Sequence, residues 1–114
     1  MRGIYTGVMP DAPKKPNGML ESLLCFYSTR LPEHPGKRRT VLNLAHLMRK
    51  SWNVPRMARR RGINFELDLN DAIPRFLFYV GYYERWETRW LEGAVQPGWT
   101  VLDIGAHIGY YSLL

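Results

Sequence analysis

The sequence predicts an α/β chain in which a mainly helical, basic first half runs into the opening strand, loop and helix of a parallel sheet. Three observations predict it. Apolar residues recur at helical spacing between residues 20 and 48 and again after residue 83. Residues 63–69 alternate apolar and polar with a strict period of two. A short apolar run, Thr100 to Ile104, contains an acid and leads into glycines four apart.

Taken in order, residues 1–18 hold Pro10, Pro13 and Pro16 with Gly3, Gly7 and Gly18 and no apolar period, the composition of a flexible arm. Leu20, Leu23, Leu24 and Tyr27 fall at i, i+3, i+4 and i+7, the stripe of a short helix that Pro32 and Pro35 should end. Thr40 is placed to cap a second helix with the stripe Val41, Leu44, Ala45 and Met48. His46 lies off that stripe and reads as a surface residue. Arg56 to Arg61 is a basic stretch closed by a turn at Gly62. Ile63, Phe65, Leu67 and Leu69 then form the dry face of a strand, with Asn64, Glu66, Asp68 and Asn70 on the wet one.

Residues 72–80 predict a short helix before Gly81. Tyr83 to Val95 predicts another, with Trp86, Trp90, Ala94 and Val95 on one apolar face and Glu84 and Glu87 near its positive end. Gln96-Pro97-Gly98-Trp99 has Pro and Gly where a type II turn wants them. Thr100 to Ile104 reads as a strand buried on both faces, and Ile108 to Leu114 as the first two turns of a helix. One such strand with its crossover helix barely begun is less than a βαβ unit, which takes ~30 residues or more. The expected organisation is therefore an arm at 1–18, a basic helical segment at 19–62, and the truncated start of a sheet domain at 63–114.

Composition narrows the class. The chain has 114 residues, 46% hydrophobic and 23% charged, which is globular rather than disordered. No apolar run approaches the ~20 residues that span a bilayer. Pro10, Asp11, Pro13, Lys14, Lys15 and Pro16 stand where a secretory signal would be apolar, and the single cysteine, Cys25, has no partner for an internal disulfide. A cytoplasmic protein is expected. No Cys/His spacing suggests zinc. The net charge of +6 is uneven: residues 1–62 hold 13 Lys/Arg against 3 Asp/Glu, and residues 63–114 hold 3 against 7. The basic half suits either a solvated face or a polyanion partner.

Chemistry concentrates at Val101-Leu-Asp-Ile-Gly-Ala-His-Ile-Gly109. Gly105 lets the backbone turn sharply and approach a ligand where a Cβ would clash. A helix starting after Gly109 would aim free N–H groups at an anion. Asp103 at the strand end can hold an ammonium group. S-adenosylmethionine offers an ammonium, a carboxylate and a sulfonium together, so it suits the site. A dinucleotide site would want G-x-G-x-x-G, and His107 stands where its second glycine belongs. The plain alternative is a tight strand-to-helix turn.

These residues also carry a resemblance. VLDIGAHIGYYSLL is similar to the first cofactor motif of the FkbM family of methyltransferases, close to D-[IV]-G-A-N-x-G-x-[YF]-[ST]. Upstream, FELDLNDAI and GYYERWET resemble that family's lead-in, L-D-L-x-D followed by G-x-Y-E and E-T. The resemblance covers about residues 63–114. It implies a class I (Rossmann-like) methyltransferase fold, S-adenosyl-L-methionine as cofactor, and methyl transfer to an oxygen or similar nucleophile on a sugar, lipid or secondary metabolite. By position it implies a cofactor site of Asp103, Gly105, Ala106, His107 and Gly109, with Tyr83 and Glu84 as the Y-E pair near the methionine end. His107 stands where the family commonly has Asn. No catalytic base is implied within these residues.

Two features stand beside that reading. Phe76, Phe78, Tyr79, Tyr82, Tyr83 and Trp86 could stack on adenine or face a sulfonium, but aromatic residues dominate cores and the core reading is favoured. Arg56, Arg59, Arg60 and Arg61 could contact phosphates, which makes a nucleic-acid-binding module, or part of an RNA methyltransferase, the alternative function. No stacking platform interleaves them, so a solvated basic face is the favoured expectation.

Overall fold

A computed structural model describes residues 18–114. The expected arm lies outside the described residues except for Gly18. Four α-helices and one two-stranded antiparallel sheet make a mixed α/β architecture.

Helix α1 spans Met19–Arg30, and the Glu21 carboxylate accepts the Gly18 N–H that the first turn leaves free. Its buried residues are Glu21, Leu24 and Ser28, whereas Leu20 and Leu23 face outward. The expected stripe is thus rotated, because Glu21 is drawn inward by Arg56. The helix ends before Pro32 as expected. Helix α2, Lys37–Leu47, starts three residues ahead of the expected cap. Thr40 caps nothing, since its N–H already bonds the Gly36 carbonyl. The start is fixed instead by Gly36, at φ 81°, and by the buried Lys37, whose Nζ donates to the Leu31 carbonyl at 2.5 Å. Val41 and Ala45 are buried and His46 is exposed, both as expected.

Arg56–Arg60 forms strand β1, paired antiparallel with β2, Ile63–Leu67, in the register Arg56 to Leu67 and Arg60 to Ile63. Arg61 and Gly62 make the two-residue turn with φ of 51° and 83°, the left-handed pair that matches hairpin twist. The expectation of a solvated basic face holds for Arg59 and Arg61, which are exposed, and is corrected for Arg56 and Arg60. The stretch shows no apolar alternation, yet Arg56 is fully buried and Arg60 reaches inward. Burial continues past β2 through Leu69, alternating with exposed Glu66 and Asp68. The hairpin joins the basic segment and the residues after it into one sheet and one core.

Helix α3, Ala72–Val80, is capped by Asp71, whose side chain accepts the Ile73 N–H, and closed by Gly81 at φ 91°. Helix α4, Arg85–Ala94, is shorter than expected at both ends. Thr88 is its one buried residue; Trp86 and Trp90, expected on a packed face, are 76% and 71% exposed. The Gln96–Trp99 turn forms as expected, with Trp99 N–H on the Gln96 carbonyl and Gly98 at φ 91°.

The expected parallel strand does not form. Thr100 to Ile104 has no strand partner, and Leu102 and Ile104 are 81% and 86% exposed. A strand is a property of a pair, and this segment pairs with neither strand of the hairpin. Likewise Ile108 to Leu114 makes one 3-10 turn, Tyr111–Leu113, rather than two turns of α-helix. The described residues therefore hold no parallel sheet. The core runs from Leu24, Val41 and Ala45 through Trp52, Phe65 and Leu67 to Leu77, Phe78 and Tyr79, and Tyr110 locks the C-terminal segment onto it. Among the described residues no helix is long and apolar enough to cross a membrane.

Candidate functional site

The glycine segment is a chain of left-handed residues: Gly105 at φ 77°, His107 at 52° and Gly109 at 72°, with Gly109 N–H donating to the Ala106 carbonyl at 2.7 Å. For Gly105 and Gly109 this costs little; for His107 it is a strained choice. The compensation is visible. His107 Nε2 lies 2.8 Å from Asp71 Oδ2, so the loop is tied to the cap of α3. A Cβ at Gly105 would meet no atom within 4 Å.

Residues after the loop meet the start of α4. Tyr110 is buried, its ring 5.9 Å from that of Tyr83 and 6.2 Å from Phe65. Its hydroxyl pairs with Thr88 Oγ1 at 3.2 Å, and Thr88 also donates to the Tyr83 carbonyl. Tyr111 donates its hydroxyl to Glu84, which sits at φ 42° just before α4. Ser112 Oγ donates to Asp103 Oδ2 at 2.5 Å. Residues 83–88 and 103–112, separate in sequence, are thereby brought together.

Between them lies a groove of about 1020 Å³, lined by Trp86, Glu87 and Trp90 on one side and Asp103, Tyr111 and Ser112 on the other. Two indoles and the carboxylates of Glu87, Glu92 and Asp103 form a setting for a cation. Burial, then the hydrogen bond and charge of Glu84, push the Tyr111 phenol up, and the same causes raise Tyr83. Both hydroxyls stay protonated at neutral pH, so they act as donors.

Of the expected site residues, Asp103 lines this groove. Tyr83 and Glu84 line a second cleft on the other side of Trp86 and Glu87. Gly105, Ala106, His107 and Gly109 line neither; His107 turns toward α3 instead. The described residues contain no group of three His, Cys, Asp or Glu that could hold a metal.

The basic cluster takes structural roles. Arg56 bonds Glu21 and the Ser51 and Val54 carbonyls. Arg60 bonds the Leu77 and Phe78 carbonyls at the C-terminal end of α3, where a cation is favoured. Arg61 pairs with Glu92. In the aromatic run, Phe78 and Tyr79 are core, as favoured, and Trp86 is exposed.

The second cleft, about 980 Å³, was not anticipated from sequence. Its signal was available in Lys37-Arg38-Arg39 and in the aromatic residues around Tyr82, but nothing linear connects α2 with the α3–α4 junction. No family model matches the chain, and no match was found among curated proteins or among solved structures.

Proposed function

We propose that this chain carries the cofactor-binding opening of an S-adenosylmethionine-dependent methyltransferase of the FkbM type. The observation that supports it best is the meeting of the two stretches that carry the resemblance. Glu84 bonds Tyr111, and Asp103 faces Trp86 and Glu87 across one groove. The donor set fits the group. Asp103 and Glu87 would hold its ammonium and sulfonium ends, and the indoles of Trp86 and Trp90 would cover the sulfonium. The cofactor supplies an electrophilic methyl group. The protein's part is to align a nucleophile with it and exclude water. The class I fold belongs to the same proposal: Val101, Leu102 and Ile104 make a short apolar run, the sequence pattern of a central parallel strand. The acceptor in this reading is a small molecule or glycan. The nucleic-acid alternative loses its main support, since Arg56, Arg60 and Arg61 are engaged within the fold.

Titration of the isotope-labelled chain with S-adenosylmethionine, followed by NMR, tests the reading. The amides of residues 103–112 and the Trp86 and Trp90 indoles should shift together, and Asp103→Ala should remove the response while leaving the remaining spectrum folded. Binding is expected to be weak, because Thr100 to Ile104 is unbraced and its ordering would draw on the binding energy. No shift at millimolar cofactor, or shifts unaltered by Asp103→Ala, would sink the proposal.

A further inference from the structure

The cleft of about 980 Å³ between the start of α2 and the α3–α4 junction has its own chemistry. Tyr82 stands at its centre with two guanidiniums on its ring: Arg85 Cζ lies 4.0 Å from the centroid and Arg38 Cζ lies 5.5 Å. Phe76 packs edge-on to Tyr82 at 6.3 Å and completes an aromatic floor. Arg39 also lines the cleft. Among the described residues neither Arg38, Arg39 nor Arg85 is ion-paired, unlike Arg56 and Arg61. Tyr82 holds both guanidiniums at this cleft by cation–π attraction, and an anion entering the cleft would be favoured by each.

Carboxylates line the same cleft. Glu84 is turned to Tyr111 and Glu33 accepts the Tyr82 hydroxyl at 3.5 Å, while Glu87 stands free of a described partner. A bare polyanion such as a nucleic-acid backbone would be repelled by them. A ligand with an anionic end and several hydroxyls would use both signs of charge: phosphate on the arginines, hydroxyls on the carboxylates.

We propose that this cleft binds a phosphorylated sugar, with Arg38 and Arg85 holding the phosphate and the carboxylates of Glu33 and Glu87 taking the hydroxyls. The proposal goes beyond the methyltransferase reading; Trp86 and Glu87 border both clefts, but Arg38 and Arg85, which would hold the phosphate, lie outside the groove that Asp103 lines.

Calorimetric and NMR titration of the full chain with glucose 6-phosphate tests it, beside arms with glucose, inorganic phosphate and a single-stranded 12-mer oligonucleotide. Glucose 6-phosphate should shift the Arg38, Arg39 and Tyr82 amides, and glucose or phosphate alone should bind at least about tenfold more weakly, since each supplies half the contacts. Arg38→Gln and Arg85→Gln should each weaken binding about tenfold, the loss of one charge-assisted contact. Arg85→Lys should restore part of the affinity. Both arginines are exposed, so the variants should keep the native spectrum. The response to S-adenosylmethionine should be the same in both, which separates this site from the groove. Unchanged affinity in a folded Arg85→Gln protein overturns the proposal. So does inorganic phosphate binding as tightly as the sugar phosphate, or the oligonucleotide displacing it with steep salt dependence.

Discussion

Glu21 and Arg56, 35 residues apart, form an ion pair inside the core: Nε to Oε2 is 3.2 Å, with side chains 4% and 1% exposed. Ser51 Oγ donates a third hydrogen bond to the carboxylate at 2.6 Å. Burial by itself would raise the Glu21 carboxyl, but its bonds to Arg56 and Ser51 and the Arg56 charge win and hold it below its ordinary 4.5. Removing one partner strands the other charge, so Glu21→Ala should cost about 3–5 kcal/mol, more than replacing both partners together with apolar residues. Urea unfolding of Glu21→Ala, Arg56→Met and the double variant checks this; a single variant more stable than the double would refute it.

The same pair gives a pH dependence. Because the folded-state carboxyl is depressed, its contribution is complete above the ordinary value of 4.5 and is lost as pH falls through the lower folded-state value. Wild-type stability should drop on acidification below about 4.5 more steeply than that of Glu21→Gln. Parallel denaturation midpoints between pH 3 and 6 provide the comparison.

That ion pair also marks how far sequence could be read. Period two at Ile63–Leu67 is decided by the backbone alone, so it was legible, as were the turns at Gly62 and Gln96–Trp99. The face of α1 was not, because Leu20 and Leu23 look more apolar than Glu21 until Arg56 is known to lie opposite. Strand β1 was hidden for the same reason: an arginine buries its stem and satisfies its head on carbonyls, which no hydropathy pattern reports. Thr100 to Ile104 has a strand's composition and lacks a strand's neighbour. At the candidate site, sequence singled out Tyr83, Glu84 and Asp103, but the approach of the two stretches that hold them depends on Tyr110 and Thr88, which carry no linear signal. The tie from His107 to Asp71 was equally invisible.

Gly81 gives a local test of packing. Its φ of 91° disfavours any side chain, and an added Cβ would stand 2.8 Å from Thr29 Cγ2. Gly81→Ala should destabilise by about 2 kcal/mol, left-handed strain plus crowding. Adding Thr29→Ser removes the methyl yet keeps the hydroxyl that donates to the Cys25 carbonyl, so it should recover part of that loss. Thermal unfolding of the three proteins decides; no recovery in the double variant would mean the strain is all backbone.

Cys25 should be a slow nucleophile. Burial pushes its thiol up to about 11, against a smaller opposing effect from Arg60, and Sγ is 3.6 Å from the Phe78 carbonyl. At pH 8 only about one molecule in a thousand then carries the reactive thiolate. Alkylation monitored by mass spectrometry should be far slower than for a free thiol and rise about tenfold per pH unit toward pH 10. Rapid labelling at pH 7 would show that α1 opens readily.

The segment from Val101 to Ile104 presents an open apolar surface. Leu102 and Ile104 are almost wholly exposed, and Trp86 and Trp90 stand nearby at the same groove as Leu102. Single exposed apolar residues are ordinary, but a contiguous patch of this kind drives association. Strand-like apolar segments with free backbone groups add to the tendency. The chain should therefore self-associate as concentration rises, and a dye that binds apolar surface should report it. Leu102→Ser with Ile104→Ser should lower association while shifting unfolding stability by no more than about 0.5 kcal/mol, since these side chains bury little within the folded chain. Sedimentation velocity and chemical unfolding on the same samples separate the outcomes. If the double serine variant remains associated, the contact lies elsewhere. If it loses several kcal/mol, the segment packs internally, and its exposure would have to be abandoned.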